Sequence, residues 1–93
     1  MIVKDVVIPN PLGLHARAAA RLVQTASKYK SKLRIEKDNQ SVNGKSILGI
    51  LLLAAAQGSR LKLVFEGSDE GEASDAVVRL VNEGFGEMSE AGA

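Results

Sequence analysis

Apolar residues in this chain switch repeatedly between a period of two and a period near 3.6, and that alternation leaves few folds open. "IVKDVVI" (Ile2 to Ile8) is rich in β-branched residues and is stopped by Pro9, Asn10 and Pro11, so it predicts a strand. From Ala16 the spacing turns helical: Ala19, Leu22, Val23 and Ala26 form one apolar face, while Arg17, Arg21, Gln24 and Lys28 line another. "KLRIEKD" alternates again, with Leu33 and Ile35 on one side, and "SVNG" returns after the turn residues Asp38 to Gln40 as a short partner strand. Ser46 is placed to cap a helix through "ILGILLLAAAQGS" that ends near Gly58. "RLKLVFEG" is a further strand, with Leu61, Leu63 and Phe65 on one face. In the last segment Asp69 and Glu72 have capping-box spacing, and Ala73, Ala76, Val77, Leu80 and Val81 form the buried stripe of a helix closed by Gly84 or Gly86.

The order is therefore β-α-β-β-α-β-α. Three apolar helix stripes are most simply buried on one face of one sheet. The expected fold is α+β: an open-faced sandwich whose four-stranded, mainly antiparallel sheet is covered on one side by three helices. With 93 residues there is material for a single core. The domain is expected over residues 1–88, with a short flexible tail at 89–93.

Composition narrows the function classes. Net charge is +1 and the aromatics are only Tyr29, Phe65 and Phe85, which leaves no stacking platform or basic field for nucleic acid. The N-terminal apolar run contains charges and lacks a signal-peptide pattern. The apolar run from Ile47 to Ala56 falls far short of the ~20 residues that span a bilayer. With no cysteine, a reducing cytoplasm is the expected compartment, without membrane insertion. No metal site is expected, since His15 is the only histidine, and no bound cofactor either.

His15 sits where "NPLG" stops being able to coil and "ARAAARL" begins to do so. A residue at that junction lies beside backbone N–H groups without intrahelical partners and at the positive end of the helix dipole, a ready place for an anion. Arg17 adds a guanidinium that can hold phosphate oxygens in a bidentate grip. Together they suggest a nucleophilic imidazole that accepts a phosphoryl group. The local residues alone favour the plainer reading of a polar residue merely tolerated at a helix start. A hydrolase triad is disfavoured by the lack of a G-x-S-x-G elbow. "NGKS" is no nucleotide-binding loop, because Asn39 stands where its first glycine belongs. In "ILGILLL" six of seven residues are aliphatic, too many for the inner face of a short helix, so some of Ile47, Leu48, Leu51 and Leu52 should be exposed as an interaction patch.

"GLHARAAARLVQTASKYKS", "VNGKSILGILLLAAAQGS" and the element order together resemble the HPr family, the histidine-containing phosphocarriers of the bacterial phosphoenolpyruvate-dependent phosphotransferase system. The resemblance covers Ile2 to about Phe85. It implies that His15 accepts a phosphoryl group on Nδ1 from phosphorylated enzyme I and passes it to a histidine of a IIA domain, with Arg17 steadying the group. It implies that Ser46 is the regulatory serine, a target of HPr kinase/phosphorylase. It also implies that Ala20, Ile47, Leu48, Leu51 and Leu52 belong to the docking surface of a monomer that is a relay and not an enzyme with its own substrate pocket. The alternative is a regulatory phosphoprotein of a nitrogen-related or incomplete phosphotransferase branch. Three departures stand out: Ala18 where many members have proline, and Gln24 and Ser27 where many carry cationic side chains. Retention of His15 argues against the catabolite-repression paralogue, which lacks it.

Overall fold

The computed structural model describes residues 1–87, so the tail expected at 89–93 lies outside the described residues. The strands are β1 (Ile2–Val7), β2 (Lys32–Lys37), β3 (Gln40–Asn43) and β4 (Arg60–Glu66). The helices are α1 (Ala16–Ala26), α2 (Ile47–Leu52) and α3 (Glu70–Asn82), followed by a 3-10 turn at Gly84–Gly86. The sheet runs β1-β4-β2-β3, and all three strand pairs are antiparallel. This is the open-faced sandwich that the alternation of periods predicts.

Register follows the pleat. Ile2, Phe65 and Leu33 stand side by side across β1, β4 and β2, and Leu63 faces Ile35 in the next row, so this face is apolar across β4 and β2, with exposed Lys4 beside Leu63 on the edge strand β1. Against it pack Ala19, Leu22 and Ala26 of α1, Ile50 of α2 and Ala73, Val77 and Val81 of α3, all buried. The opposite face carries the row Asp5, Lys62, Glu36, in which charges of opposite sign face one another across strands. Among the described residues no helix is long and apolar enough to cross a membrane.

Two local expectations fail, each because a tertiary bond outcompetes a local preference. α2 does not reach Gly58; it ends at Leu52, and Ala54 turns the chain with a left-handed φ of 49°. Beyond it the backbone serves other segments. Ala55 O accepts from Leu14 N at 2.9 Å, and Gly58 N donates to Ile8 O at 2.8 Å. Helical bonding through Ala54–Ala56 would forfeit both contacts. At the start of α3, Asp69 makes no capping bond to its own helix. Its carboxylate accepts instead from the amides of Lys30 at 2.8 Å and Ser31 at 2.9 Å and from the Ser31 hydroxyl. The Ser31 hydroxyl, followed by the Lys30 amide, holds the Asp69 carboxyl below its ordinary value. Glu70, not Glu72, reaches back to the chain entry by accepting from Gly67 N at 3.1 Å. In the α3 stripe Ala76 and Leu80 are half-buried, while Ser74 is buried with its hydroxyl on Gly71 O.

Candidate functional site

The segment between β1 and α1 is a tight, pinned loop. Gly13 N donates to Asn10 O at 3.1 Å, and the side-chain amide of Asn10, itself fully buried, donates to Gly13 O at 2.8 Å. Gly13 has φ +68°, and a Cβ there would lie 2.5 Å from Ala55 O. Only glycine fits that combination. One residue on, the Leu14–Ala55 backbone bond ties the loop to the segment that follows α2. The premature end of α2 is therefore part of what positions the loop.

His15 is the N-cap of α1. Its backbone is extended (φ −76°, ψ 179°) and its carbonyl accepts the first helical bond from Ala19 N at 2.8 Å. Side-chain capping is unusual here, because the acceptor is imidazole Nδ1, which takes the Arg17 amide at 3.3 Å. At 3.3 Å this is a long bond, readily exchanged for a better acceptor. The amides of Ala16 and Ala18 have no backbone acceptor among the described residues, as in any first helical turn. The Arg17 side chain is exposed and makes no hydrogen bond or ion pair among them. A lone pair and several N–H donors thus meet at one helix start, with the exposed Arg17 side chain two residues on, which suits a tetrahedral oxyanion bonded to Nδ1. Ala18 is fully buried and helical, so the helix starts at Ala16 without a proline to set it.

The other ring nitrogen contacts a residue with no local signal in the sequence. Nε2 of His15 hydrogen-bonds to Oε2 of Glu87, and Oε1 of the same carboxylate accepts from Nδ2 of Asn10 at 2.8 Å. Burial alone would raise the Glu87 carboxyl. The hydrogen bonds from Asn10 and His15, with the nearby charge of Arg21, outweigh it and leave the group below its ordinary value. Arg21 donates to the Phe85 carbonyl. That half-buried arginine belongs to the basic stripe expected on α1, and it holds the turn after α3 as well as facing solvent. Asn10 reads in the sequence only as a strand breaker. Its Asn-Pro-x-Gly context marks a turn, but nothing there announces a bond to a carboxylate.

Ser46 caps α2 as expected, with Oγ accepting from Gly49 N at 3.0 Å, and it is half-buried. Behind it the aliphatic run divides sharply. Ile50 and Leu53 are buried, whereas Ile47 (42 % exposed), Leu48 (69 %), Leu51 (37 %) and Leu52 (68 %) face solvent. Ala20 is half-buried on α1, which packs against α2. Leu12, 72 % exposed and three residues before His15, is a further apolar surface residue that periodicity does not single out.

Comparison with known proteins agrees with this geometry. A family model described as the PTS HPr component phosphorylation site matches residues 2–83. The phosphocarrier protein HPr of Neisseria meningitidis serogroup A is 47% identical over 87 residues, covering 94% of this chain and 98% of its own. The HPr-like protein Crh of Halalkalibacterium halodurans is 43% identical over 81 residues, covering 87% of this chain and 96% of its own. Among solved structures, HPr-C-His from Thermoanaerobacter tengcongensis superposes with a TM-score of 0.90 at 52% identity, covering 94% of this chain and 98% of that one. A single histidine capping a basic-faced helix, a serine capping an aliphatic one, and relatives that match nearly end to end all point the same way: the chain belongs to the HPr family of phosphotransferase-system phosphocarriers.

Proposed function

We propose that this phosphocarrier accepts a phosphoryl group on Nδ1 of His15 from phosphorylated enzyme I and delivers it to a IIA domain in sugar phosphotransfer. The observation that carries the reading is the placement of Nδ1: an acceptor lone pair at the N-terminus of α1, within 3.3 Å of the Arg17 amide. The lone pair forms the new P–N bond while the bond from phosphorus to the donor breaks, its electron pair returning to the donor. The Arg17 amide then turns from the ring nitrogen to a phosphoryl oxygen, and the Arg17 guanidinium spreads the charge of the transferring group. Delivery is the same displacement in reverse. Ile47, Leu48, Leu51 and Leu52, with Ala20, form the surface that seats either partner on a cytoplasmic monomer.

A regulatory role is favoured by one further observation, the position of half-buried Ser46 as the N-cap of α2, directly before Ile47 and Leu48. Phosphorylation by HPr kinase/phosphorylase would place roughly −1.5 to −2 charges beside Ile47 and Leu48 and oppose their burial against a partner. The same chain could then serve a regulatory branch through its phosphorylation state. Incubation with enzyme I and phosphoenolpyruvate, followed by mapping at neutral pH, tests the central reading. One acid-labile phosphate on His15, absent from His15→Ala, is the expected result. Undiminished labelling of that variant would refute it.

A further inference from the structure

The most unusual feature outside the helix start is the way the segment Gly84 to Glu87 returns to His15. Gly84 (φ 65°), Phe85 (φ 58°) and Gly86 (φ 81°) are successive residues in the left-handed region, and Phe85 is completely buried. A buried aromatic held in a conformation that L-residues avoid needs surrounding structure to impose it. Here Phe85 joins the core, and its carbonyl is held by Arg21. The turn delivers the Glu87 carboxylate, 11 % exposed, directly against the ring. Neither oxygen is left to solvent alone: Oε1 takes Asn10 and Oε2 takes His15. Asn10 is in turn fixed to Gly13 O, so the loop that presents the imidazole and the Glu87 carboxylate that meets it share one buried amide.

The two neighbours of the imidazole make complementary demands. The Arg17 amide is a donor, so Nδ1 must be unprotonated; the Glu87 carboxylate is an acceptor, so Nε2 must carry the proton. We propose that Glu87 is a positioning residue for phosphoryl transfer: its carboxylate holds the proton on Nε2 of His15, leaves the lone pair on Nδ1, and balances the positive charge the ring acquires once phosphorylated. The proposal rests on His15 being the acceptor and adds the group that makes the correct nitrogen available. Chemically, the Nδ1 pair forms the P–N bond, the donor keeps the electrons of the bond that breaks, and the proton stays between Nε2 and Oε2 throughout. A carboxylate behind an imidazole acts in this way where histidine is a metal ligand, and losing such a partner typically reduces activity about 10- to 100-fold.

Glu87→Gln tests this assignment, because it keeps the side-chain length and an acceptor for Asn10 while removing the charge. Two readouts apply: long-range proton–nitrogen NMR correlations of the His15 ring, and the rate of phosphorylation by enzyme I and phosphoenolpyruvate. The wild-type ring is expected as the Nε2–H tautomer. In the variant, a share of the ring should move to Nδ1–H and the rate should fall roughly 10-fold, with His15 still the labelled residue. An unchanged ring spectrum, or an unchanged rate, overturns the role of Glu87. A wild-type protein that takes no phosphate instead overturns the phosphocarrier reading, and the ring spectrum then still decides the tautomer. A purely structural role for Glu87 would lower the unfolding temperature and leave the nitrogen pattern intact, which also counts against the proposal.

Discussion

Gly13→Ala attacks the loop that aims His15, and its cost can be worked from the geometry. Holding alanine at the observed φ of +68° costs about 1–2 kcal/mol. Its smaller unfolded-state freedom returns ~0.4–1 kcal/mol of that. The new Cβ would also sit 2.5 Å from Ala55 O and 3.0 Å from Ala56 Cα, both main-chain atoms that no rotamer change can move. Separating the segments stretches the 2.9 Å Leu14–Ala55 bond, with ~0.5–1.5 kcal/mol at stake. Displacing the main chain that follows α2 adds about another 1 kcal/mol or more, in the range seen for overpacking. The sum is about 2–4 kcal/mol, a large share of the stability of a domain this size. By urea titration with circular dichroism the midpoint should drop with little change in slope, and the melting temperature should fall by roughly 10–20 °C. His15 should also become a slower acceptor, because the loop moves with its tether. A loss below about 0.5 kcal/mol, within the range of ordinary surface substitutions, would show that Gly13 is not the constraint described.

Other expectations concern acid stability and docking. Asp69 is held below the ordinary carboxyl value of 3.8, with the Ser31 hydroxyl the largest cause, so its contribution is present above the unfolded value and is lost as pH falls through the folded one. In a urea-midpoint profile below about pH 4, Ser31→Ala should therefore flatten the acid-induced loss without abolishing it, since Glu70 and Glu87 are lowered too. A profile identical to wild type would contradict the clamp. Leu48→Asp, at a position 69 % exposed, should leave the unfolding free energy within about 0.5 kcal/mol. It should nonetheless raise the KM of enzyme I for this protein at least several-fold; an unchanged KM would remove Leu48 from the docking surface.

What could be read from the residues depended on how local the cause was. Leu33 and Ile35, or Leu61, Leu63 and Phe65, declare a strand and its buried face by alternation alone, because the pleat is a property of neighbouring residues. Ser46 declares a cap for the same reason. Ala54 to Gly58 look like helix, and nothing within the segment indicates that Ala55 O is wanted by Leu14 and Gly58 N by Ile8, far earlier in the chain. Asp69 likewise has cap spacing on paper, yet its carboxylate serves Lys30 and Ser31. The candidate site splits along the same line. His15 and Arg17 are legible from the break-then-helix pattern, and the surplus of aliphatic residues in α2 correctly forecasts Ile47, Leu48, Leu51 and Leu52 at the surface. Glu87 is invisible from sequence, since a carboxylate after a glycine-rich helix end carries no mark of the imidazole it will meet.

The central claim is that His15 carries the phosphoryl group and does so on Nδ1. Phosphorus-31 and nitrogen-15 NMR of the protein labelled by enzyme I and phosphoenolpyruvate reads both facts in one sample. A single P–N resonance coupled to Nδ1 of His15, with the Nε2 proton retained, is the expected result. Coupling to Nε2, or phosphate on any other residue, would contradict it.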